Sequence, residues 1–397
     1  MLYVKPDYYH KFKCVADKCE ATCCAGWQIV IDEASLERYQ KETGDYRKTL
    51  QERIDWAGGV FKQDSCKRCA FLNDHNLCDM YQNLGEDSLC ITCTNYPRHV
   101  EEFENIREIT LSISCPVVAE LILNNKEKVS FTEEELEEED EEFEDYDPFL
   151  FSYLEEARKI ILGILQNRSL NISARAALIY RMAEEIQDAI LQAGLFELPD
   201  IFAKYEDEDS LKNSMVFIEK ELADFFGPDG DAFRYSKATF GRLYELEHLS
   251  REWELYLEQC WELLYGGKAA GYYALHKEFA AWWARTSESE YSSLGDRQEL
   301  SSVTETETLP PGFELDIILE QLLVYFIFTY FCGAVYDDNI LGKVQMSVAS
   351  VHILYEMFAA KWAENRSLTT KDLERIVYRY SRELEHSDIN LEILEKI

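Results

Sequence analysis

The stretch Asp147–Leu165, DPFLFSYLEEARKIILGIL, decides the fold class of most of this chain. Asp147 offers a side-chain oxygen as a helix cap, and Pro148 follows at the first helical position, where its missing N–H is not needed. Phe149, Leu150, Tyr153, Leu154, Ala157, Ile160, Ile161, Ile164 and Leu165 then recur at three- and four-residue steps, which lays one apolar stripe along a helix. The same period continues toward the C-terminus. Ser173 can cap a second helix that stops at Gly194, and further helices are predicted near residues 210–226, 236–265, 271–285, 314–335, 343–364 and 370–386. The most apolar run, Gln321–Tyr336, QLLVYFIFTYFCGAVY, has close acidic flanks and is shorter than the roughly 20 residues a bilayer requires. It reads as a buried core helix, with no membrane insertion. Strand alternation is scarce, and Phe103–Ser114, FENIREITLSIS, is the best candidate.

Working outward toward the N-terminus, Glu133–Asp147, EEELEEEDEEFEDYD, is almost wholly acidic and reads as a solvated arm. Three regions follow: a cysteine-rich unit over 1–130, an acidic linker over 131–147, and a helical domain over 148–397. The expected fold class is mainly α, with an irregular cysteine-rich unit packed on the helical domain. No G-x-G-x-x-G follows a strand, and strand–helix alternation is missing, so no Rossmann methyltransferase domain is expected.

The net charge of −36 excludes nucleic acid as the natural partner, because phosphate contacts need clustered Lys and Arg. It favours a basic partner, or serves solubility alone. Ten of the twelve cysteines fall between Cys14 and Cys115, and only Cys260 and Cys332 lie beyond. No basic segment with an apolar run marks a secretory signal, which points to the reducing cytoplasm. Clustered cysteines there are ligands or redox groups rather than disulfides.

The first group reads Cys14, Cys19 and the adjacent pair Cys23-Cys24, followed by Gly26-Trp27. The second contains two CxxC pairs, Cys66/Cys69 and Cys90/Cys93, with Cys78 between them, and Cys115 follows in SCP. Each CxxC can place two sulfurs on one metal through a tight turn, and four sulfurs can bind zinc or ligate a four-iron cluster. Spacing does not choose between them. His75 and His99 sit within the cluster as further possible ligands.

The run F-x-C-x4-C-x3-CC-x-GW-x-I-x-I-D, Phe12 to Asp32, resembles the opening of the flagellin lysine N-methylase family. C-x-FL-x5-C-x2-Y-x2-LGE-x3-C-x2-C-x2-YPR, Cys69 to Arg98, resembles its second signature, and Ser114-Cys115-Pro116 its third. The helical stretch from Ile318 to Phe331 is similar to its C-terminal region. The second run also resembles small zinc- or iron-chelating domains through Cys69, Phe71-Leu72, Cys78, Tyr81, Cys93 and Tyr96-Pro97. The resemblance implies methyl transfer from S-adenosylmethionine to lysine ε-amines of flagellin, in the cytoplasm before export. It implies an iron–sulfur cluster, four-iron–four-sulfur, in preference to zinc. The favoured ligands are Cys14, Cys19, Cys23, Cys24, Cys69, Cys78 and Cys93, then Cys90, with Cys66 and Cys115 lower.

Methylating a lysine requires a neutral amine, although its ordinary pKa is about 10.4, and an acceptor for its proton. Tyr96 is the candidate for lining the pocket or relaying that proton. Arg98 is the candidate for holding the cofactor carboxylate bidentately. The cluster could chelate the cofactor or be purely structural. The C-x3-C-x2-C spacing of radical enzymes is absent, since Cys19-x3-Cys23 runs straight into Cys24. The alternative from another class is a metal-binding adaptor or chaperone whose helical domain binds a partner.

Overall fold

The computed structural model describes residues 1–138, 141–192, 194–227, 230–288 and 314–397. Sixteen α-helices are described. In the first third they are α1 (Glu33–Lys41), α2 (Arg47–Arg53), α3 (Asp79–Leu84), α4 (Ile91–Asn95) and α5 (Pro116–Leu123). The remainder are α6 (Pro148–Leu165), α7 (Ile172–Gln192), α8 (Leu198–Glu206), α9 (Glu208–Phe225), α10 (Ala232–Gly241), α11 (Arg251–Tyr265), α12 (Ala269–Glu288), α13 (Leu315–Tyr330), α14 (Ile340–Asn365), α15 (Thr370–Leu384) and α16 (Asp388–Leu394). The strands are β1 (Leu2–Pro6), β2 (Ile54–Asp55), β3 (Val60–Phe61), β4 (Arg98–Phe103), β5 (Ile106–Leu111) and β6 (Phe131–Glu135). The chain is mainly helical, as the stripes predicted.

The helix at Asp147 forms as read: its carboxylate accepts from the Phe149 and Leu150 amides, and Leu150, Leu154, Ile161 and Leu165 are buried. The next helix differs in its cap. Asn171 Oδ1, two residues before Ser173, accepts from the Ala174 amide at 2.9 Å. Its end is as expected, with Gly194 at φ +84° closing onto the Ala189 carbonyl. The single helix predicted over 236–265 is two. The backbone tightens to a 3-10 turn at Arg242–Glu245, and Ser250 starts α11 by accepting from the Trp253 amide. The apolar run is the expected core helix. Every residue of α13 from Ile318 to Tyr330 is buried. Together with the 3-10 turn after it, over Leu315–Val335, it is long and apolar enough to cross a membrane, but 83% of that window lies inside the protein. α14 packs against α7, α13, α11, α15, α16, α10 and α12, which makes it the axis of the helical body.

Phe103–Ser114 is not one strand. Its first residue closes β4, Glu104 turns at φ +37°, and β5 returns antiparallel. A four-stranded sheet runs β4-β5-β1-β6, with β1 parallel to β5 and antiparallel to β6. The acidic stretch thus begins as edge strand β6; residues 139 and 140 of it lie outside the described residues. Acidic side chains on an edge strand deter pairing with another chain.

Two apolar cores result. The larger joins Val4, Phe103, Leu111 and Ile113 of the sheet region to α5 and the C-terminal helices. Buried charges pin it: Arg158 of α6 forks onto Glu108 of β5, and Glu320 of α13 receives both Arg168 and Arg175. The smaller core, Ile29, Ile31, Tyr39, Leu50, Ile54, Phe61, Cys69, Phe71, Met80 and Cys90, belongs to the cysteine-rich segment.

Candidate metal centre and the residues around it

The cysteine-rich segment has little regular structure, so backbone pairs and side-chain caps hold it. The Cys69 amide donates to the Cys24 carbonyl at 2.8 Å, and the Gly26 amide to the Lys67 carbonyl at 3.1 Å. Gly26 sits at φ +102°, a conformation an L side chain resists. These bonds bring the first cysteine group against the second. Asn73 shapes the turn between Cys69 and Cys78, its Oδ1 accepting from the His75 and Leu77 amides. Asp32 then ties two helices together. Oδ1 accepts from Ser35 in α1 at 2.8 Å, and Oδ2 from Ile91 in α4 at 2.9 Å. Burial disfavours its charge, but the Ile91 and Ser35 bonds outweigh that and hold its carboxyl below the usual range.

Cys78 and Cys90 occupy the cap positions of α3 and α4, and Cys93 lies in the first turn of α4. Helix N-termini favour a thiolate through the amide dipoles. Cys24, Cys69, Cys78, Cys90 and Cys93 all border the smaller core. Their charges are felt mutually: burial pushes the Cys69 thiol up to about 12, and the charges of Cys24, Cys78 and Cys90 add to it. The Cys93 thiol bonds to Cys90 and holds Cys90 down, while Cys93 itself is pushed up. Cys23 stands in the same relation to Cys24.

The other predicted sulfurs gather elsewhere. Cys23 lies within electrostatic reach of Cys14, and Cys115, at the cap of α5, within reach of Cys19 and Cys14. By these neighbours the eight predicted ligands fall into two adjoining groups that meet where the Cys23 and Cys24 thiols bond. Cys66 is exposed and stands apart, while Cys260 and Cys332 are buried in the helical body. Among the described residues no three His, Cys, Asp or Glu side chains are spaced to hold an ion ready-made. His75 is exposed, and His99 is engaged with Glu101 at 2.6 Å and edge-on to Tyr330.

Tyr96 and Arg98 flank this region. The Tyr96 ring packs on Trp27, centroids 5.5 Å apart, and its hydroxyl lies 3.2 Å from Ser114 Oγ. Burial raises its phenol, and the Arg382 charge works against that. Arg98 is exposed. Its Nε donates to Tyr9 Oη at 3.0 Å, and its guanidinium lies over the Tyr9 and Phe12 rings. No carboxylate pairs with it among the described residues.

Several residues escaped the sequence reading. Arg382 of α15 donates to the Ser114, Ala21 and Thr22 carbonyls and lies 4.7 Å from the Trp27 ring centroid. Glu385, just past α15, accepts from Ser112 and Tyr325. In the sequence both look like polar positions of an amphipathic helix. Ser114 carried a signal only as part of SCP.

A helical body thus carries a thiol-rich segment against its C-terminal helices, and comparison with known proteins places this arrangement. Residues 158–397 match the FliB lysine N-methylase C-terminal domain. The chain belongs to the FliB lysine N-methylase family. It is 27% identical over 137 residues to the lysine-N-methylases of Salmonella typhimurium and Salmonella choleraesuis, covering 32% of this chain and 34% of theirs. Those matches therefore span about a third of the relatives' length. It is also 27% identical over 138 residues to the flagellar biosynthetic protein FliU of Salmonella muenchen, covering 81% of that protein. No solved structure matches the chain.

Proposed function

We propose that this chain is a protein-lysine N-methyltransferase that moves methyl groups from S-adenosylmethionine to lysine ε-amines of flagellin in the cytoplasm, with a cysteine-ligated iron–sulfur centre. Its membership of the lysine N-methylase family, matched over residues 158–397, carries this conclusion. The flagellar name of one relative supports flagellin as the substrate.

The donor set suits the centre on chemical grounds. Cys24, Cys69, Cys78, Cys90 and Cys93 are thiols around one small apolar core, and their mutual repulsion on ionising is what a bound cation relieves. These residues would hold a four-iron–four-sulfur cluster, or zinc in its place, with Cys14, Cys19 and Cys23 adjoining. Bound there, the group would cross-link the irregular segment and supply a Lewis-acidic face.

The chain's own residues supply the rest. Among the described residues Arg98 has no carboxylate partner, and aromatic rings flank it, which suits it to grip a cofactor carboxylate. Trp27 and Tyr96 offer aromatic faces that favour a sulfonium and desolvate a lysine, lowering its pKa. Tyr96 receives the ammonium proton as it passes its own phenolic proton on to Ser114, and the freed amine lone pair then forms the N–CH3 bond as the C–S bond breaks with its pair left on sulfur.

Purification without oxygen tests this directly. Iron, sulfide and zinc are measured per chain, and flagellin is then incubated with protein and S-adenosylmethionine and its lysines read by mass. Iron with sulfide and methylated lysines are expected. Unmodified lysines would refute the methylase, and zinc without iron the cluster. Arg98→Ala retaining full cofactor affinity would remove Arg98 from the site.

A further inference from the structure

Tyr96 is joined to a carboxylate of the C-terminal helices through hydroxyls alone. Its phenol lies 3.2 Å from Ser114 Oγ, Ser114 Oγ lies 2.7 Å from Ser112 Oγ, and Ser112 Oγ donates to Glu385 Oε2 at 2.8 Å. Each hydroxyl owns one hydrogen, which fixes the direction of the chain. Ser112 spends its hydrogen on the carboxylate. Ser114 must therefore donate to Ser112, and its lone pair is left to receive from Tyr96. The Ser114 amide also donates to Ser112 Oγ at 3.2 Å, and Tyr325 of α13 steadies Glu385 with a second bond at 3.0 Å.

We propose that Tyr96, Ser114, Ser112 and Glu385 form a proton relay that carries the proton of a substrate ammonium from the Tyr96 hydroxyl to the Glu385 carboxylate. The relay deepens the lysine methylase assignment and rests on it. The ammonium N–H bond breaks and leaves its electron pair on nitrogen. Its proton joins Tyr96 Oη as the phenolic proton passes to Ser114, the Ser114 proton to Ser112, and the Ser112 proton to Glu385. One carboxyl O–H forms, and the three hydroxyls end as they began. Tyr96 touches substrate, while Ser114, Ser112 and Glu385 act through it as positioning residues. Burial pushes the Glu385 carboxyl above its usual range, against the Ser112 bond and the His99 charge, which suits it to accept a proton. His99 with Glu101, together with Tyr325, Tyr330 and Asp388, are the other titratable groups in its field.

The test is single-turnover methylation of flagellin at saturating S-adenosylmethionine from neutral to alkaline pH. Glu385→Gln and Ser112→Ala should slow transfer on the order of a hundredfold at neutral pH, with cofactor affinity unchanged. The deficit should close at alkaline pH, where hydroxide takes the proton, and Ser112→Thr should recover most of the rate. An equal loss at every pH would make Glu385 merely structural and overturn the relay. A second readout stands apart from turnover: the infrared stretch of the ionised Glu385 carboxylate, assigned by its loss in Glu385→Gln. It should shift in Tyr96→Phe and Ser114→Ala, and an unmoved band would overturn the relay. A wild-type protein that methylates no lysine would refute the proposed function, while the infrared coupling would still decide the hydroxyl chain.

Discussion

Arg382→Ala should loosen the first cysteine loop while leaving the helical body folded. The guanidinium donates to Ser114 O at 3.0 Å, Ala21 O at 2.6 Å and Thr22 O at 3.3 Å, and it lies over the Trp27 ring. Hydrogen bonds from a charged donor contribute about 1.5–3 kcal/mol each, and a partly exposed cation–π contact about 1 kcal/mol. The long Thr22 bond adds little, and the terms overlap because one group makes them all. A net loss of about 3 kcal/mol follows, which corresponds to local opening on the order of a hundredfold more frequent. The amides of Gly26 and Cys69 report it, since they bond across this loop to Lys67 and Cys24. Hydrogen exchange should accelerate there and at Cys24, and thiol reagents should reach Cys23 and Cys24 faster. Amides of α13 and α14 should keep their protection. Arg382→Lys should behave nearly as Ala does, because a single ammonium cannot span the Ser114 and Ala21 carbonyls. Unchanged exchange at Gly26 and Cys69 would refute this account of how α15 holds the loop.

Three other outcomes follow from the same structure. Cys69→Ser and Cys93→Ser should abolish iron retention and Cys66→Ser should not, and the reverse pattern in iron assays would reject the inner sulfur set. Glu320→Gln should destabilise the fold by about 3 kcal/mol, because buried Arg175 keeps only the half-exposed Asp316, 3.9 Å away, as a countercharge; a denaturant midpoint within error of wild type would contradict that. Asp32 has a depressed carboxyl, so its caps contribute fully above its unfolded value of about 3.9 and are lost as pH falls through the folded value. Asp32→Asn should flatten the acid limb of stability and release α4, seen as faster exchange at Ile91; an acid limb as steep as wild type's would show that the carboxylate plays no such part.

The sequence discloses what neighbours along the chain decide. Helix stripes depend on residues three and four apart, so α6 is readable, as is the Asp147 cap, and the length of its apolar run discloses α13. The break after Gly241 is not readable, because nothing there forbids helix and the chain leaves it only to pack Leu243 and Leu246 into the larger core. β1 was missed for a related reason. Five residues become a strand because Ile106–Glu108 and Phe131–Glu135, more than a hundred residues on, supply the partners on either side.

The site divides along the same line. CxxC pairs and the adjacent Cys23-Cys24 announce sulfur chemistry locally, but the sorting of thiols into two sets is set by the long-range bond from Cys69 to Cys24. That bond places the boundary between two adjacent residues. Cys24 borders the smaller core with Cys69 and Cys78, while Cys23 bonds to Cys24 and lies within reach of Cys14. Arg382 grips the carbonyls of Ala21 and Thr22 just ahead of the Cys23–Cys24 peptide and the carbonyl of Ser114, the middle hydroxyl of the chain to Glu385. The geometry of the sulfur sets and of the hydroxyl chain is therefore fixed by the same C-terminal helix. Arg382 of α15 bonds to the backbone both beside the Cys23-Cys24 pair and at Ser114, and Glu385 just after α15 takes the Ser112 hydroxyl.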